Sequence, residues 1–257
     1  MTTPDPSRRF RTAAAHYLAG RPPYGEKLIR RVVELTGLQP QHAVLDLGCG
    51  PGTLTRAFAP FAARVLGLDP EPEMLRVAAD AGTPANVGWQ AGSSATLAPD
   101  LGHFHLVTMG RSFHWMDRVD TLRRLDGLVE PGGAIALFDD SHPDFPGNAQ
   151  HRGYRAILAR YNSDDPARSA SVPRHGAVLL DSAFSEIEGI TVYSHNEMPA
   201  TVLIDRALSM SSTSRARLGA RADDLLRELG AWLTTAAPDG IFREVLATSA
   251  LIARRPR

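Results

Sequence analysis

Residues 44 to 55, reading VLDLGCGPGTLT, hold the densest set of groups able to grip a ligand: an apolar strand enters a glycine-rich turn that opens a helix. Gly48, Gly50 and Gly52 permit positive φ and put no side chain between backbone and ligand, while the first N–H groups of the following helix face the same point. Asp46, two residues ahead of the first glycine, adds an acceptor suited to an ammonium group rather than a pyrophosphate. The dinucleotide fingerprint G-x-G-x-x-G counted from Gly48 requires a glycine at 53, where the chain has Thr53. A nicotinamide-dependent oxidoreductase is therefore the weaker reading, and D-x-G-x-G-x-G favours a cofactor that carries an amino acid. Cys49 is the only cysteine, so no intrachain disulfide forms, and it sits in the turn with no base nearby in sequence. It reads as a small residue packed where the cofactor lies.

Further segments follow in a telling order. Val65 to Leu68 form a second apolar strand ending at Asp69-Pro70, and Phe104 to Met109 form another. An amphipathic stretch from Asp117 to Val129 leads to Pro131-Gly132-Gly133 and the apolar strand Ala134 to Phe138. This series resembles the class I methyltransferases that use S-adenosylmethionine and release S-adenosylhomocysteine. The resemblance covers roughly residues 40 to 140 and implies an α/β fold: a doubly wound, mostly parallel seven-stranded sheet with an antiparallel last strand and an insertion after the fifth strand. It implies that Asp69 accepts the ribose hydroxyls, with Leu68 and Pro70 flanking the adenine ring. Where relatives often carry Gly-Asp-Ala, this chain has Ala91-Gly92-Ser93-Ser94, so Ser93 and Ser94 become the adenine-side candidates. Met109, at the end of the fourth strand, completes the cofactor set.

The flanks should position an acceptor. Residues 1–40 read as an N-terminal helical cap whose helix over Glu26 to Thr36 presents one apolar face, preceded by the stiff Pro22-Pro23 turn. By resemblance to relatives of trans-aconitate methyltransferase, Tyr17, Arg21 and Tyr24 close over the cofactor, with Arg21 facing its carboxylate. Otherwise they form an ordinary connector. Pro22-Pro23-Tyr24 also matches part of the (N/D)-P-P-Y motif of base-amino methylases, but that motif must follow the fourth strand. The fourth strand here ends in Met109-Gly110-Arg111-Ser112, which argues against a DNA methylase.

After it come His114 and Trp115, a pair shared with small-molecule methyltransferases of the trans-aconitate and ubiquinone-biosynthesis type. Strand-end loops border the ligand crevice, so Arg111, His114 and Trp115 read as acceptor-side residues, with His114 as a candidate base. Asp140 and His142, leaving the fifth strand, are further catalytic candidates, and Tyr161 a substrate contact within an insertion at 141–190 that caps the acceptor site. A solvated loop and helix cap is the competing reading there. Asp164-Asp165-Pro166 reads as a turn.

Charge excludes more than it selects: 28 basic residues balance 28 acidic ones, giving no support for a nucleic-acid or anionic-membrane partner. A small-molecule acceptor fits, and no metal is expected. Only Lys27 among the basic residues is a lysine, a skew that suggests a GC-rich genome and is compatible with secondary-metabolite tailoring. No apolar run approaches the ~20 residues of a membrane span, and Met1 to Arg9 lack a signal-peptide core, so a single cytoplasmic domain over 1–257 is expected. The last third reads as a strand at Ile190 to Tyr193, helices through Leu208 and over Ala222 to Leu233, a final strand from Glu244 to Ala253, and a solvated Arg254 to Arg257 tail. Methyl transfer to an N or O atom of a small metabolite is the expected activity. A cofactor-binding protein of the same fold without turnover is the alternative.

Overall fold

The computed structural model describes residues 14–162 and 175–256. Met1 to Arg9, the Asp164-Asp165-Pro166 turn and the last residue of the tail lie outside the described residues. The chain divides into two compact units. A sheet unit comprises the described residues of Pro23–Asp140, Val172–Val192 and Thr248–Arg257, and a helical unit those of Met1–Pro22, Ser141–Ser171 and Tyr193–Ala247.

Seven strands form one sheet in the order β3-β2-β1-β4-β5-β7-β6. They are β1 (Ala43–Leu47), β2 (Arg64–Asp69), β3 (Val87–Ala91), β4 (Phe104–Gly110), β5 (Val129–Ser141), β6 (Glu186–Pro199) and β7 (Ile241–Arg254). β3, β2, β1, β4 and β5 run parallel, and β7 turns antiparallel between β5 and β6. The central strands are buried on both faces, which is why they read as near-continuous apolar runs rather than alternating ones. Order 3-2-1-4 reverses direction between β1 and β4, so the crevice beyond the carboxyl ends of these two strands is where a doubly wound sheet binds its ligand.

Helix α1 (Ala14–Gly20) belongs to the helical unit, whereas α2 (Glu26–Thr36) packs Leu28, Ile29 and Val32 on the sheet unit's core. α2 ends where Gly37 adopts φ 65°, letting its N–H and that of Leu38 turn back to Glu34 and Val33. α3 (Thr53–Phe58) and α4 (Pro72–Asp80) follow β1 and β2, and α5 (Arg118–Asp126) follows β4 under the cap of Asp117, whose carboxylate accepts from the Asp120 N–H.

Two sequence expectations change here. The helix foreseen to Val129 stops at Asp126, and Pro131-Gly132-Gly133 is no turn before a strand. Phe104 pairs with Val129 but Leu106 with Ala134, so six residues of β5 oppose three of β4 and the Pro-Gly-Gly segment bulges out within one continuous strand. Likewise the sixth strand is far longer than Ile190 to Tyr193, because its alternation of half-buried and exposed residues persists to Pro199.

α6 (Ala149–Tyr161) and α7 (His175–Leu180) lie between β5 and β6, while α8 (Val202–Leu208), α9 (Arg215–Leu218) and α10 (Arg221–Ala236) separate β6 from β7. The helical unit has its own core, in which Tyr154, Leu203, Leu225, Leu229 and Phe242 are buried together. Asn148 clips this unit: its Nδ2 donates to the carbonyls of Pro143 and Val245, each at 2.8 Å, and its Oδ1 accepts from the Val245 N–H at 2.8 Å. No helix among the described residues is long and apolar enough to cross a membrane.

Replacing Asn148 by alanine strands buried backbone groups of Val245 and Pro143, and each buried group left unmade costs ~1 to 3 kcal/mol. Asn148→Ala is expected to lose ~2 kcal/mol or more in urea-monitored unfolding. A loss below ~0.5 kcal/mol would show that water replaces all three bonds.

Candidate active site

The glycine turn is tied down from β2. Gly48 and Cys49 both donate to the Leu68 carbonyl, at 2.8 and 3.1 Å, and the Gly50 N–H donates to Asp69 Oδ2 at 2.8 Å. These three N–H groups are therefore used inside the protein. The reason for each glycine differs. A Cβ on Gly48 would lie 2.6 Å from that of Ser112, and one on Gly52 would strike the Trp89 ring at 2.2 Å. Gly50, at φ 53°, meets nothing within 4 Å. Gly50 is thus the point at which the turn offers bare backbone to open space. Trp89, which sequence reading overlooked, roofs the turn from β3 and also contacts Gly67, with the Arg56 guanidinium 5.8 Å from its ring centre. Cys49 is buried, and burial pushes its thiol up, as befits a packed residue rather than a nucleophile.

Asp69 ends β2 with both oxygens engaged: Oδ2 by Gly50 and Oδ1 by the Glu71 N–H at 2.9 Å. Burial raises its pKa, partly offset by those two backbone bonds. Beside it Glu71, also buried, caps α4 through Oε1, while its Oε2 has no hydrogen-bond partner among the described residues. Leu68 is buried and Pro70 exposed next to this acid, and the Ser93 N–H is held by the Thr96 hydroxyl at 2.8 Å with Ser94 in the same turn. Two buried carboxylates beside bare backbone fit the ribose and amino-acid parts of a nucleoside that carries a methionine moiety.

Asp46 is placed otherwise than expected. It is 1% exposed, and its oxygens accept from the hydroxyls of Thr55 at 2.6 Å and Thr108 at 2.9 Å. An ammonium group outside the turn does not reach so enclosed a carboxylate. Asp46 instead joins β1, α3 and β4 beneath the turn. Burial outweighs the hydroxyl bonds and raises its pKa to about 6.

At the end of β4 the chain bends sharply. Arg111 adopts φ 54°, a sparsely populated backbone for a side chain of its size. Its guanidinium pairs with Asp140 at 2.5 Å and lies 4.7 Å from the centre of the Tyr24 ring. Tyr24 is buried against Gly110 and edge-on to Phe138, so it is a core residue rather than the substrate contact foreseen. Arg111 and Asp140, expected as a substrate contact and a catalytic group, neutralise one another.

Beyond them lies a cavity of about 460 Å³, lined by Met109, the 111–114 segment, Leu137 to Asp139, His175, and residues of β6 and β7. Met109 is buried in its floor and His114 stands exposed at its rim, with the Trp115 ring 4.7 Å from His114. His175 and Asp139 in this wall were not singled out from sequence. Nothing in the neighbourhood of His175 marks it as special before the chain folds.

The other foreseen residues belong to the helical unit. Tyr17 lies 5.5 Å from the Arg21 guanidinium, and Tyr161 stacks with Arg221 at 5.4 Å over a shallow depression. His142 is part of a buried charge network: Glu244 Oε2 receives His142 Nε2 at 3.0 Å, His151 Nε2 at 3.1 Å and Arg206 Nη1 at 2.7 Å. Burial opposes the charge on Glu244, but these bonds outweigh it and hold the carboxyl well below the usual carboxylate range. The two imidazoles and the carboxylate lie within metal-ligand reach of each other, yet Arg206 already supplies the cation. His142 is a member of this network rather than an open base.

Comparison with known proteins now bears on this geometry. Residues 44–133 match the family model described as a methyltransferase domain. The chain is 30% identical over 198 residues to the trans-aconitate 2-methyltransferase of Methylobacterium radiotolerans, covering 71% of this chain and 74% of that one. It is 28% identical over 227 residues to an uncharacterized methyltransferase of Mycobacterium tuberculosis, covering 88% and 86%. A solved structure from Anaeromyxobacter dehalogenans, a proposed type II methyltransferase, superposes with a TM-score of 0.65 at 24% identity over 91% of this chain and 97% of that one. The chain belongs to the class I S-adenosylmethionine-dependent methyltransferases. It is an enzyme whose methyl donor is S-adenosylmethionine.

A carboxyl raised to about 6 binds its proton more tightly in the folded than in the unfolded chain. Its contribution to stability is therefore present below the unfolded value of about 4 and lost as pH rises through about 6. Asp46→Asn, which does not titrate, should gain on the native protein between about pH 4.5 and 7.5, by up to ~3 kcal/mol for a displacement of roughly two pH units. Denaturant melts of both proteins at these two pH values check it, and a stability difference independent of pH would refute the raised carboxyl.

Proposed function

We propose that this enzyme methylates a hydroxyl or amine group of a small, largely apolar molecule that carries no cluster of carboxylates. The observation that carries the cofactor side of this reading is Gly50, whose missing side chain leaves open space while Asp69 fixes its N–H. Asp69 and Glu71 are assigned to the ribose hydroxyls, with Leu68, Pro70, Ser93 and Ser94 on the adenine side. The bare backbone at Gly50 is assigned to the methionine part, over a turn set by Gly48, Cys49 and Gly52 and braced from below by Asp46.

When bound, the cofactor supplies a methyl carbon already activated by its sulfonium charge. The protein's task is then mainly placement, because an acceptor atom held ~3 to 3.5 Å from that carbon gains most of the available acceleration. The 460 Å³ cavity at the ends of β4 and β5 is large enough for a ring-bearing metabolite, and Phe113, Leu137, Phe138, Ile190 and Leu251 give it apolar walls. His114 at the rim contacts the acceptor's polar side.

The acceptor's charge follows from the wall. A polycarboxylate needs several unspent cations, but among the described residues of this wall the arginine, Arg111, is committed to Asp140, and Asp139 adds a carboxylate. Similarity to a trans-aconitate methyltransferase therefore carries over to the reaction type and not to its acceptor. Transfer to a neutral hydroxyl or an amine suits the site better.

Two measurements test this. Asp69→Ala is expected to weaken S-adenosylhomocysteine binding at least tenfold by calorimetry, and unchanged affinity would remove the ribose assignment. In a homocysteine-release assay over a metabolite panel, phenols and amines are expected to turn over and trans-aconitate is not; turnover of trans-aconitate alone would reverse the acceptor reading.

A further inference from the structure

Of the titratable side chains in the cavity wall, Arg111 is paired, His114 stands at the exposed rim, and Asp139 opens to solvent. His175, the first residue of α7, differs from all of them. It lines the same cavity, its ring lies 5.2 Å from that of Phe113, and its buried Nδ1 has no hydrogen-bond partner among the described residues. A buried polar nitrogen without a partner is costly, which is a reason to look for a ligand that relieves it.

Three elements set its electrostatic surroundings. Burial lowers its pKa, Arg118 on α5 lowers it further, and Asp139 at the end of β5 works the other way. His175 is thus neutral at neutral pH and able to accept a proton, with a carboxylate at hand to stabilise the imidazolium once it forms.

Resting on the acceptor reading above, we propose that His175 is the proton acceptor of the reaction, that Asp139, in the same cavity wall, is the charge that steadies its imidazolium, and that the acceptor is a phenolic or enolic hydroxyl. The acidity of the acceptor follows from the base. Proton transfer is efficient when donor and acceptor are not far apart in pKa, and an imidazole below its ordinary value is much closer to a phenol, at ~10 in tyrosine, than to an alkyl alcohol. A neutral phenol also enters an apolar cavity without desolvating a charge, whereas an ammonium group does not. In the step itself the O–H bond breaks with its electron pair left on oxygen, and the proton passes to an imidazole nitrogen of His175. Oxygen forms the new bond to the methyl carbon, the former S–CH3 pair stays on sulfur, and the imidazolium then returns its proton to solvent.

The full-length enzyme with S-adenosylmethionine is tested on 4-nitrophenol and its ring-substituted analogues, whose phenolates absorb visibly and are bleached by O-methylation, with benzylamine as the amine arm. Wild type is expected to methylate a nitrophenol with a kcat that rises through the His175 titration, below neutrality, to a plateau. His175→Gln is expected to lose about 10²-fold in kcat with KM within threefold, and to replace the plateau by a rate that climbs with phenol ionisation. Asp139→Asn, which removes the carboxylate that raises His175, is expected to move the rising limb to lower pH; this shift decides the matter should His175→Gln fail to fold. A His175→Gln enzyme with the wild-type pH profile, or an Asp139→Asn limb that does not move, overturns the proton-acceptor role. Turnover of benzylamine but of no nitrophenol overturns the phenol assignment and leaves the proposed function standing, while loss of S-adenosylhomocysteine binding on calorimetry would remove the function itself.

Discussion

The hydrogen bond from the Gly50 N–H to Asp69 holds this molecule's chemistry in place. It joins the loop after β1 to the end of β2, and with the Leu68 carbonyl it consumes the N–H groups of residues 48 to 50. A glycine turn of this length has many conformations, and fixing each residue costs ~1 to 2 kcal/mol. Two bonds to the Leu68 carbonyl, one to the Asp69 carboxylate and the Trp89 roof offset that loss and leave one face of Gly50 bare. The same carboxylate is thereby oriented, since its Oδ1 is held by Glu71 at the start of α4. The turn is thus held by two strand ends locking each other.

Many residues able to do chemistry are spent on holding the chain. Asp46 ties β1 to α3 and β4, Asp140 neutralises Arg111, and Glu244 gathers Arg206, His142 and His151. Breaking any one partner out of such a buried group leaves a charge without compensation, which is far more costly than the net worth of the intact group. These carboxylates are therefore fixed by their surroundings. Groups that the fold leaves open stand beside them: the Gly50 surface, and among the described residues the Glu71 Oε2 and the His175 Nδ1 have no hydrogen-bond partner.

How much of this was readable from the chain follows from how local each signal is. The glycine turn after β1, the acid that ends β2 and the seven-stranded, mostly parallel sheet depend on spacing along the sequence, and the fold keeps them. The Pro-Gly-Gly bulge and the length of β6 depend on which strand is opposite, and spacing does not encode that, whereas the helices through Leu208 and over Ala222 to Leu233 were readable from the chain. Asp46 illustrates the boundary: its place beside the glycines is legible, but its burial comes from Thr108, sixty-two residues away and on another strand. Trp89 and His175 escaped for the same reason, since a lone tryptophan or histidine has no local pattern to announce it.

The division into two units gives this a functional sense. The cofactor turn, Asp69, the cavity and His175 all belong to the sheet unit, and they are built from strand ends whose register the parallel ladders fix. Arg206 and Glu244, by contrast, organise the helical unit around a buried charge network. Changes of acceptor within such a family need only alter which side chains line the cavity, because Gly50 and Asp69 are set by a separate group of bonds. In this chain the wall arginine among the described residues, Arg111, is held by Asp140, so the cavity's charge is set by a pair that the cofactor turn does not share.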